Sequence, residues 1–290
     1  GYPWTLPQIF RRAGFDYFVT QKLRWNDTHD WTADRNLFWW KGRDGTRVLT
    51  YIPYGYSHHL EPDRLGDQWI ASRDSTAGGR MLVLYGVGDH GGGPTMEMLD
   101  RRRALERVPT YPPLEGTLPE PALERMEAEG GGAAPVIDDE LYLEYHRGVF
   151  TSQADAKAWN RKLENLLTTA EALATHASTL DPGDAWYNYP RGSLTRAWHV
   201  TLFNQFHDIL PGSGIGPVYE DAAADYRVAE RLATSAVRRA GERIASRLDT
   251  RPPVEGARPF VVLNPSGRAR GGEVRIEWSG EGARVVDGEG

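Results

Sequence analysis

Residues 203–220 read Phe-Asn-Gln-Phe-His-Asp-Ile-Leu-Pro-Gly-Ser-Gly-Ile-Gly-Pro-Val-Tyr-Glu. The stretch predicts the end of an apolar helix over 194–209, stopped by Pro-Gly-Ser-Gly. Polar groups packed into such an end need partners, because an unpaired buried group costs roughly 1–3 kcal/mol. Neighbouring helical positions diverge by about 100°, so His207 could hold a metal while Asp208 faces a ligand hydroxyl. The alternative is that His207 caps the helix C-terminus and Asp208 starts the next turn.

Helical patterns extend to both sides of this stretch. Small and apolar residues recur near a period of 3.6 over 151–180, and 218–248 is rich in Ala, Arg and Glu. Together with the helix over 194–209, these segments predict a three-helix bundle, which we assign to residues 118–250.

The N-terminal part of the chain alternates helical and apolar extended patterns. A helix is predicted over 6–14, a strand over 16–20 and a hairpin over 38–53. The continuous apolar run 81–86 predicts a strand buried on both faces that ends in a glycine-rich loop. This order indicates an α/β layer, assigned to residues 1–117, with functional groups at strand ends. The pattern then predicts a helix over 94–106, a Pro-rich connector over 108–121 and a flexible loop over 127–135.

The C-terminal residues 251–290 change in composition at Arg-Pro-Pro. Residues 258–265 predict a strand and turn, and 273–278 alternate as a half-exposed strand. Two strands are not stable alone, so we expect this segment to begin a β domain.

The bulk composition excludes several classes of protein. With 290 residues, a net charge of −6 and a pI of about 5.8, the chain is a poor electrostatic partner for nucleic acid. No stretch approaches the roughly 20 apolar residues of a membrane span. Cysteine is absent, so any metal must be held by His and carboxylates, and a cytoplasmic location is expected.

Residues 85–95, Tyr-Gly-Val-Gly-Asp-His-Gly-Gly-Gly-Pro-Thr, form a second candidate motif. Glycines let backbone pack closely against a ligand, and Asp89 would follow a buried strand directly. The alternative is a structural glycine turn with Asp89 as an ordinary cap. A phosphate loop fits less well, because no Lys-Ser or Lys-Thr follows.

The run at 204–213, continued by Val-Tyr-Glu-Asp at 218–221, resembles the metal-binding helix of the glycoside hydrolase family 38 α-mannosidases. Residues 86–95 are similar to the family motif Gly-x-Gly-Asp-Gly-Gly-Gly-Gly-Pro-Thr, with His90 where Gly is usual. Residues 140–153, Glu-Leu-Tyr-Leu-Glu-Tyr-His-Arg-Gly-Val-Phe-Thr-Ser-Gln, resemble a third family segment.

The resemblance implies an α/β plus helical-bundle fold: the C-terminal half of a parallel-sheet catalytic domain, a three-helix bundle and the first strands of a β-sandwich. It implies a retaining, zinc-dependent hydrolase of terminal α-mannosidic bonds, acting on an oligosaccharide or a small glycoside. Asp89 would be the general acid/base and His207 a Zn²⁺ ligand. Asp208, Lys22 and Tyr56, with Tyr54 as the alternative to Tyr56, would bind the substrate.

Residues 1–22 resemble the family segment that follows the nucleophilic Asp. We therefore expect the nucleophile and the His-x-Asp zinc ligands to precede Gly1, and the chain to be an internal fragment, inactive alone. His29-Asp30 and His58-His59 are expected to be solvated loop residues, and Glu144 to be mainly structural.

Two other functions stay open at this point. One is a non-catalytic carbohydrate-binding or scaffold fragment of a split gene. The other is a hydrolase of another α-mannoside, such as mannosylglycerate. Self-association into a homo-oligomer is also open.

Overall fold

The computed structural model describes residues 1–29, 36–73, 79–88, 92–180, 187–252 and 255–276, together with Gly282 and Val285. The chain divides into two compact units, Gly1–Arg147 (unit 1) and Gly148–Gly290 (unit 2), so the boundary predicted at 117/118 lies inside unit 1. The helices and strands are α1 Leu6–Arg12, β1 Tyr17–Val19, β2 Leu37–Lys41, β3 Arg47–Tyr51, α2 Pro62–Ser72, α3 Met96–Leu105, α4 Pro119–Gly130, β4 Val136–Ile137, α5 Ala154–Thr179, α6 Arg191–Phe203 and α7 Gly216–Ala245. Among these described helices, none combines the length and apolarity needed to cross a membrane.

Unit 1 is built on a four-stranded sheet of order β1-β3-β2-β4. β2 and β3 form the predicted hairpin, closed by a bond from the Gly42 amide to the Thr46 carbonyl at 2.8 Å. β1 pairs in parallel with β3, and β4 in parallel with β2. The sheet is therefore mixed, and the expectation of a parallel sheet is wrong for these strands because the hairpin places an antiparallel pair at its centre.

Helices cover both faces of this sheet. On one face, Phe38 and Trp40 pack with Phe10 of α1. On the other, Leu49 packs with Met126 of α4. Helix α4 occupies part of the segments predicted as a connector and a flexible loop, because Leu123 and Met126, three residues apart, bury one face against the sheet.

The apolar segment 81–86 is extended but forms no regular strand. Its one bridge joins Tyr85 to His58 in parallel. Leu82 contributes to the sheet core, whereas Val83 packs in a second cluster around Leu65. The segment is thus packed on two faces, as its composition predicts, although the predicted strand is not formed.

In the described part of unit 2, helices α5, α6 and α7 share one core. Alanines on α7 at positions 222, 229, 233 and 236 are buried against α5 and α6, and their small size lets the helices approach closely. Leu163 and Leu167 of α5 and Leu194 of α6 fill the same core.

The C-terminal residues carry no strand over 255–276 in the part that the structure describes. Phe260 and Val262 are exposed. An extended segment needs a hydrogen-bonded neighbour to form a strand, and no described residue supplies one. The β-sandwich stays a prediction.

Candidate active site

The carboxyl ends of β1 and β3 lie side by side in unit 1. Val19 is opposite Tyr51, and the Thr20 amide donates to the Tyr51 carbonyl at 3.1 Å. The chain therefore leaves both strands at the same edge of the sheet, into residues 20–25 and 52–58. Open α/β sheets bind ligands in this position, outside the carboxyl ends of their strands.

The two predicted sugar-binding residues of unit 1 both lie at this edge. The phenol oxygen of Tyr56 accepts a hydrogen bond from the Gln21 amide at 2.9 Å, so its ring is held beside the residue that precedes Lys22. The ammonium of Lys22 lies 3.5 Å from the centroid of the Trp25 ring. Such a cation–π contact contributes about 0.5–2 kcal/mol and orients the charge. Tyr56 keeps 40% of its surface exposed and is accessible to a ligand.

The glycine-rich loop predicted to carry the acid/base starts at the same edge. The Gly86 amide donates to the His58 carbonyl at 3.2 Å, and the next amide donates to the Gly93 carbonyl at 3.0 Å, which closes the loop at its base. Gly86 has a φ of +136°, and a Cβ there would lie 3.1 Å from the Gly93 carbonyl carbon. Asp89 itself lies outside the described residues, so its catalytic role stays a prediction.

The start of this loop also packs against the segment that carries Tyr56. A Cβ on Gly88 would overlap the hydroxyl oxygen of Ser57, the residue that follows Tyr56. The segments after β1, after β3 and after residue 85 therefore meet at one edge of unit 1.

His58 is buried, and the expectation that it is a solvated loop residue is wrong. Only 5% of its surface is exposed, and its Nδ1 accepts a hydrogen bond from the Leu60 amide at 2.7 Å. Burial, followed by the nearby charge of Arg64, lowers the pKa of His58. Its neighbour His59 is exposed, and no sequence pattern distinguishes the two because they are adjacent in one loop.

Glu144 fixes a further loop of unit 1. Its carboxylate accepts from the Thr28 hydroxyl and from the amides of Asp27 at 2.8 Å and His29 at 3.0 Å. The hydrogen bond from the Thr28 hydroxyl, followed by those from the Asp27 amide, the His29 ring and the Thr28 amide, lowers the pKa of Glu144 to about 2. The carboxylate is therefore occupied in holding residues 27–29.

In unit 2, helix α6 ends at Phe203, short of the end predicted at 209, and turns follow. After the last α-helical bond, from the Asn204 amide to the Val200 carbonyl, the next amides donate only three residues back, from Gln205 to Leu202 at 3.1 Å and from Phe206 to Phe203 at 3.1 Å. His207 and Asp208 consequently lie in a turn, not on a helix end.

The polar residues that open the motif connect α6 to both other helices. The Asn204 side chain donates to Asp225 of α7 at 3.2 Å. The Gln205 side chain donates to Asn160 at 2.9 Å and to Glu164 at 3.1 Å, both on α5. These contacts supply the partners that buried polar groups require.

The apolar and glycine residues that close the motif fix the same turn. Ile209 is buried, and the Leu210 carbonyl accepts from the Lys157 ammonium at 2.9 Å. Gly212 has a φ of +87°, and a Cβ there would lie 2.5 Å from the Ser152 carbonyl oxygen. The backbone on both sides of His207 is therefore held in one conformation.

His207 and Asp208 point into solvent, with side chains 79% and 68% exposed. The argument from buried polar groups thus applies to Asn204 and not to this pair. The His207 Nε2 lies 3.7 Å from an Asp208 carboxylate oxygen, and the Phe206 ring centroid lies 4.3 Å from the imidazole. The turn presents one nitrogen and one carboxylate donor next to an exposed ring.

These two donors do not make a zinc site by themselves. Zinc sites use three or four protein ligands. No group of three or more His and carboxylate side chains that could hold a metal occurs among the described residues.

Comparison with known proteins relates both units to one family of glycoside hydrolases. Residues 1–141 match the model of the glycosyl hydrolases family 38 N-terminal domain, and residues 144–244 match the α-mannosidase middle domain. The chain belongs to glycosyl hydrolase family 38.

Named relatives agree with this assignment. The chain is 35% identical over 228 residues to α-mannosidase 2C1 of Mus musculus, covering 78% of this chain and 21% of that protein. It is 36% identical over 233 residues to an α-mannosidase of Saccharomyces cerevisiae, covering 76% and 21%. A crystal structure of an α-mannosidase from Enterococcus faecalis V583 shares the fold, with a TM-score of 0.62 and 19% identity over 86% of this chain and 29% of that one. The chain thus spans about a fifth of the length of these curated relatives.

Proposed function

We propose that this chain is part of a retaining, zinc-dependent α-mannosidase that hydrolyses terminal α-mannosidic bonds. The observation that carries the proposal is the meeting of Lys22, Tyr56 and the base of the Asp89 loop at one edge of the sheet. Relatives named α-mannosidases make an α-mannoside, in an oligosaccharide or a small glycoside, the expected substrate.

Retaining hydrolysis needs two carboxyl groups about 5–5.5 Å apart. Asp89 would be the acid, donating its proton to the glycosidic oxygen as the bond to the leaving group breaks. It would then act as base and take a proton from the water that releases the sugar. We propose that the second carboxylate, the nucleophile, is supplied from outside these 290 residues.

Lys22 and Tyr56 would bind hydroxyl groups of the sugar. An ammonium donates hydrogen bonds, and a phenol both donates and accepts them. Since Trp25 and Gln21 already restrain the two side chains, ordering them on binding costs less entropy. Asp208, exposed in unit 2, would accept from further hydroxyls.

In unit 2, His207 and Asp208 could form only part of a metal site. Bound zinc would act as a Lewis acid and template for sugar hydroxyls. His207 would supply one ligand, and the others would have to lie outside the described residues.

Asp89→Asn in the whole protein tests this function. We expect kcat/KM to fall about 10²–10⁴-fold on an aryl α-mannoside with a poor leaving group, because an amide cannot transfer the proton. The loss should be much smaller with a good leaving group, which departs without protonation.

Asp67→Asn is the matched control, because Asp67 is an exposed Asp of unit 1 on helix α2. It should leave both rates unchanged. Equal losses on both substrates for Asp89→Asn would contradict the assignment. Sugar binding without turnover by the unaltered protein would support the non-catalytic alternative.

A further inference from the structure

Leu60 adopts a backbone conformation that L-residues other than Asn and Asp seldom adopt. Its φ is +57°, and the residue is 4% exposed. The left-handed conformation persists only where the surroundings impose it. Here the Leu60 amide donates to Nδ1 of His58 at 2.7 Å, two residues earlier, in the manner of side chains that close turns onto their own backbone.

The backbone of His58 joins two of the segments at the candidate active site. Its amide donates to the Leu84 carbonyl at 3.0 Å, and its carbonyl accepts from the Gly86 amide at 3.2 Å. Next to it, Ser57 lies against Gly88. His58 therefore lies where the segment carrying Tyr56 meets the base of the glycine-rich loop.

The imidazole performs this role in one protonation state only. Nδ1 can accept from Leu60 only when it carries no hydrogen, so the hydrogen of the neutral ring resides on Nε2. Burial and Arg64 lower the pKa of His58, and His59 acts in the same direction. Glu61, with a carboxylate oxygen 4.0 Å from Nδ1, opposes them. The balance keeps the ring neutral at neutral pH.

We infer that His58 is a positioning residue of the candidate active site. Through Nδ1 it holds the left-handed turn at Leu60, and through its backbone it keeps Tyr56 in register with Gly86–Gly88. The inference rests on the proposed function and adds a residue that the sequence motifs do not include.

Two substitutions of His58 distinguish the role of Nδ1 from that of Nε2. His58→Asn places an oxygen near the position of Nδ1 and keeps the acceptor for Leu60, whereas His58→Gln places its polar atoms near Nε2 and loses that acceptor. His59→Asn is the matched control on an exposed neighbour. The readout in the whole protein is the ratio of kcat/KM values for an aryl α-mannoside with a poor leaving group and one with a good leaving group. This ratio does not depend on the fraction of enzyme that is folded.

We expect His58→Gln to lower kcat/KM about 10- to 100-fold on the substrate with the poor leaving group and much less on the other. A shift of Gly86–Gly88 would move the start of the loop that carries Asp89, the proposed acid, and only the poor leaving group needs protonation to depart. His58→Asn and His59→Asn should keep the original ratio. A ratio changed as much by His58→Asn as by His58→Gln would overturn the inference, and so would an Asn variant that fails to fold.

Asp89→Asn in the same assay keeps the two proposals separate. If it shifts the ratio and His58→Gln does not, only the positioning role is overturned. If Asp89→Asn leaves the ratio unchanged, the proposed function fails.

Discussion

In unit 1 Lys22 rests on the Trp25 ring and Tyr56 accepts from the Gln21 amide, whereas in unit 2 His207 and Asp208 project into solvent. The turn that carries the exposed pair is nevertheless fixed through its neighbours. One unit thus holds its functional side chains directly, and the other holds only the backbone beneath them.

The difference separates two ways of preparing a binding site. Side chains that already have partners lose little rotamer freedom when a ligand binds. Their contribution to ligand affinity therefore depends on contacts already present within the protein. Side chains on a fixed backbone take their final orientation from the ligand, and a metal ion is a ligand strong enough to impose it. Substitutions in unit 2 should therefore affect either stability or activity. Those that remove contacts fixing the turn should lower stability, and those that remove the exposed side chains should lower activity.

The largest expected effect compares His207→Ala with Asn204→Ala. His207→Ala should remove the metal and reduce activity of the whole protein roughly 100-fold or more, as loss of a ligand does. Because the side chain is 79% exposed, the free energy of unfolding should change by less than about 0.5 kcal/mol. Asn204→Ala should instead destabilise the fold by about 1–3 kcal/mol, since Asn204 is buried and the change removes its side-chain hydrogen bonds to Val200 and Asp225.

Metal analysis, steady-state rates and chemical unfolding of the two variants check this contrast. A His207→Ala variant that keeps its metal, or that unfolds as easily as Asn204→Ala, would contradict the contrast. The motif would then not divide into residues that bind the metal and residues that stabilise the turn.

A second effect, on stability alone, is expected at the glycines of unit 2. Gly212→Ala should destabilise the protein by roughly 2–4 kcal/mol, because its φ of +87° disfavours a side chain and its Cβ would overlap the Ser152 backbone. Gly216→Ala, at the start of α7, has no atom within 4 Å of the new Cβ and should change stability by less than about 0.5 kcal/mol. Thermal or denaturant unfolding measures the stability of both variants. Equal losses of stability would mean that the turn at Gly212 accommodates the new methyl group without a cost in free energy.

How much of this could be predicted from the sequence differs between the two units. Periodicity predicts the helices of unit 2 well, because alanines and leucines at a spacing of 3.6 bury one face. It misses the end of α6, since periodicity does not encode the change from α-helical hydrogen bonds to the shorter turn bonds made by the Gln205 and Phe206 amides.

In unit 1 the hairpin follows from its Gly-Arg-Asp-Gly turn, but the mixed order of the sheet does not, because strand order depends on contacts distant in sequence. The family resemblance implies Lys22 and Tyr56, and the structure places both at one edge of the sheet. The resemblance does not imply His58, whose proposed role depends on the left-handed Leu60 and on the Leu84 and Gly86 backbone.

The last prediction concerns pH and compares the loops of the two units. In unit 1 residues 27–29 are held by a charge, because their amides donate to the Glu144 carboxylate. In unit 2 the Asn204 side chain donates to the Asp225 carboxylate but also to the Val200 carbonyl, an acceptor with no charge to titrate, so part of its hold on the turn is independent of pH. Acid should therefore loosen the first loop before the second.

The direction of the pH effect on this loop follows from the pKa of Glu144, which is lowered from 4.5 to about 2 in the folded protein. A carboxyl group with a lowered pKa contributes stability that is present above 4.5 and is lost as the pH falls toward 2. Hydrogen-exchange protection of the Asp27 and His29 amides, corrected for intrinsic rates, should decline over that range. Glu144→Gln should lower the protection at neutral pH and remove its pH dependence, whereas Glu140→Gln, an exposed Glu of the same unit, should do neither. A pH-independent protection in the unaltered protein would mean that the loop is held by contacts other than this carboxylate, and the contrast between the two loops would fail.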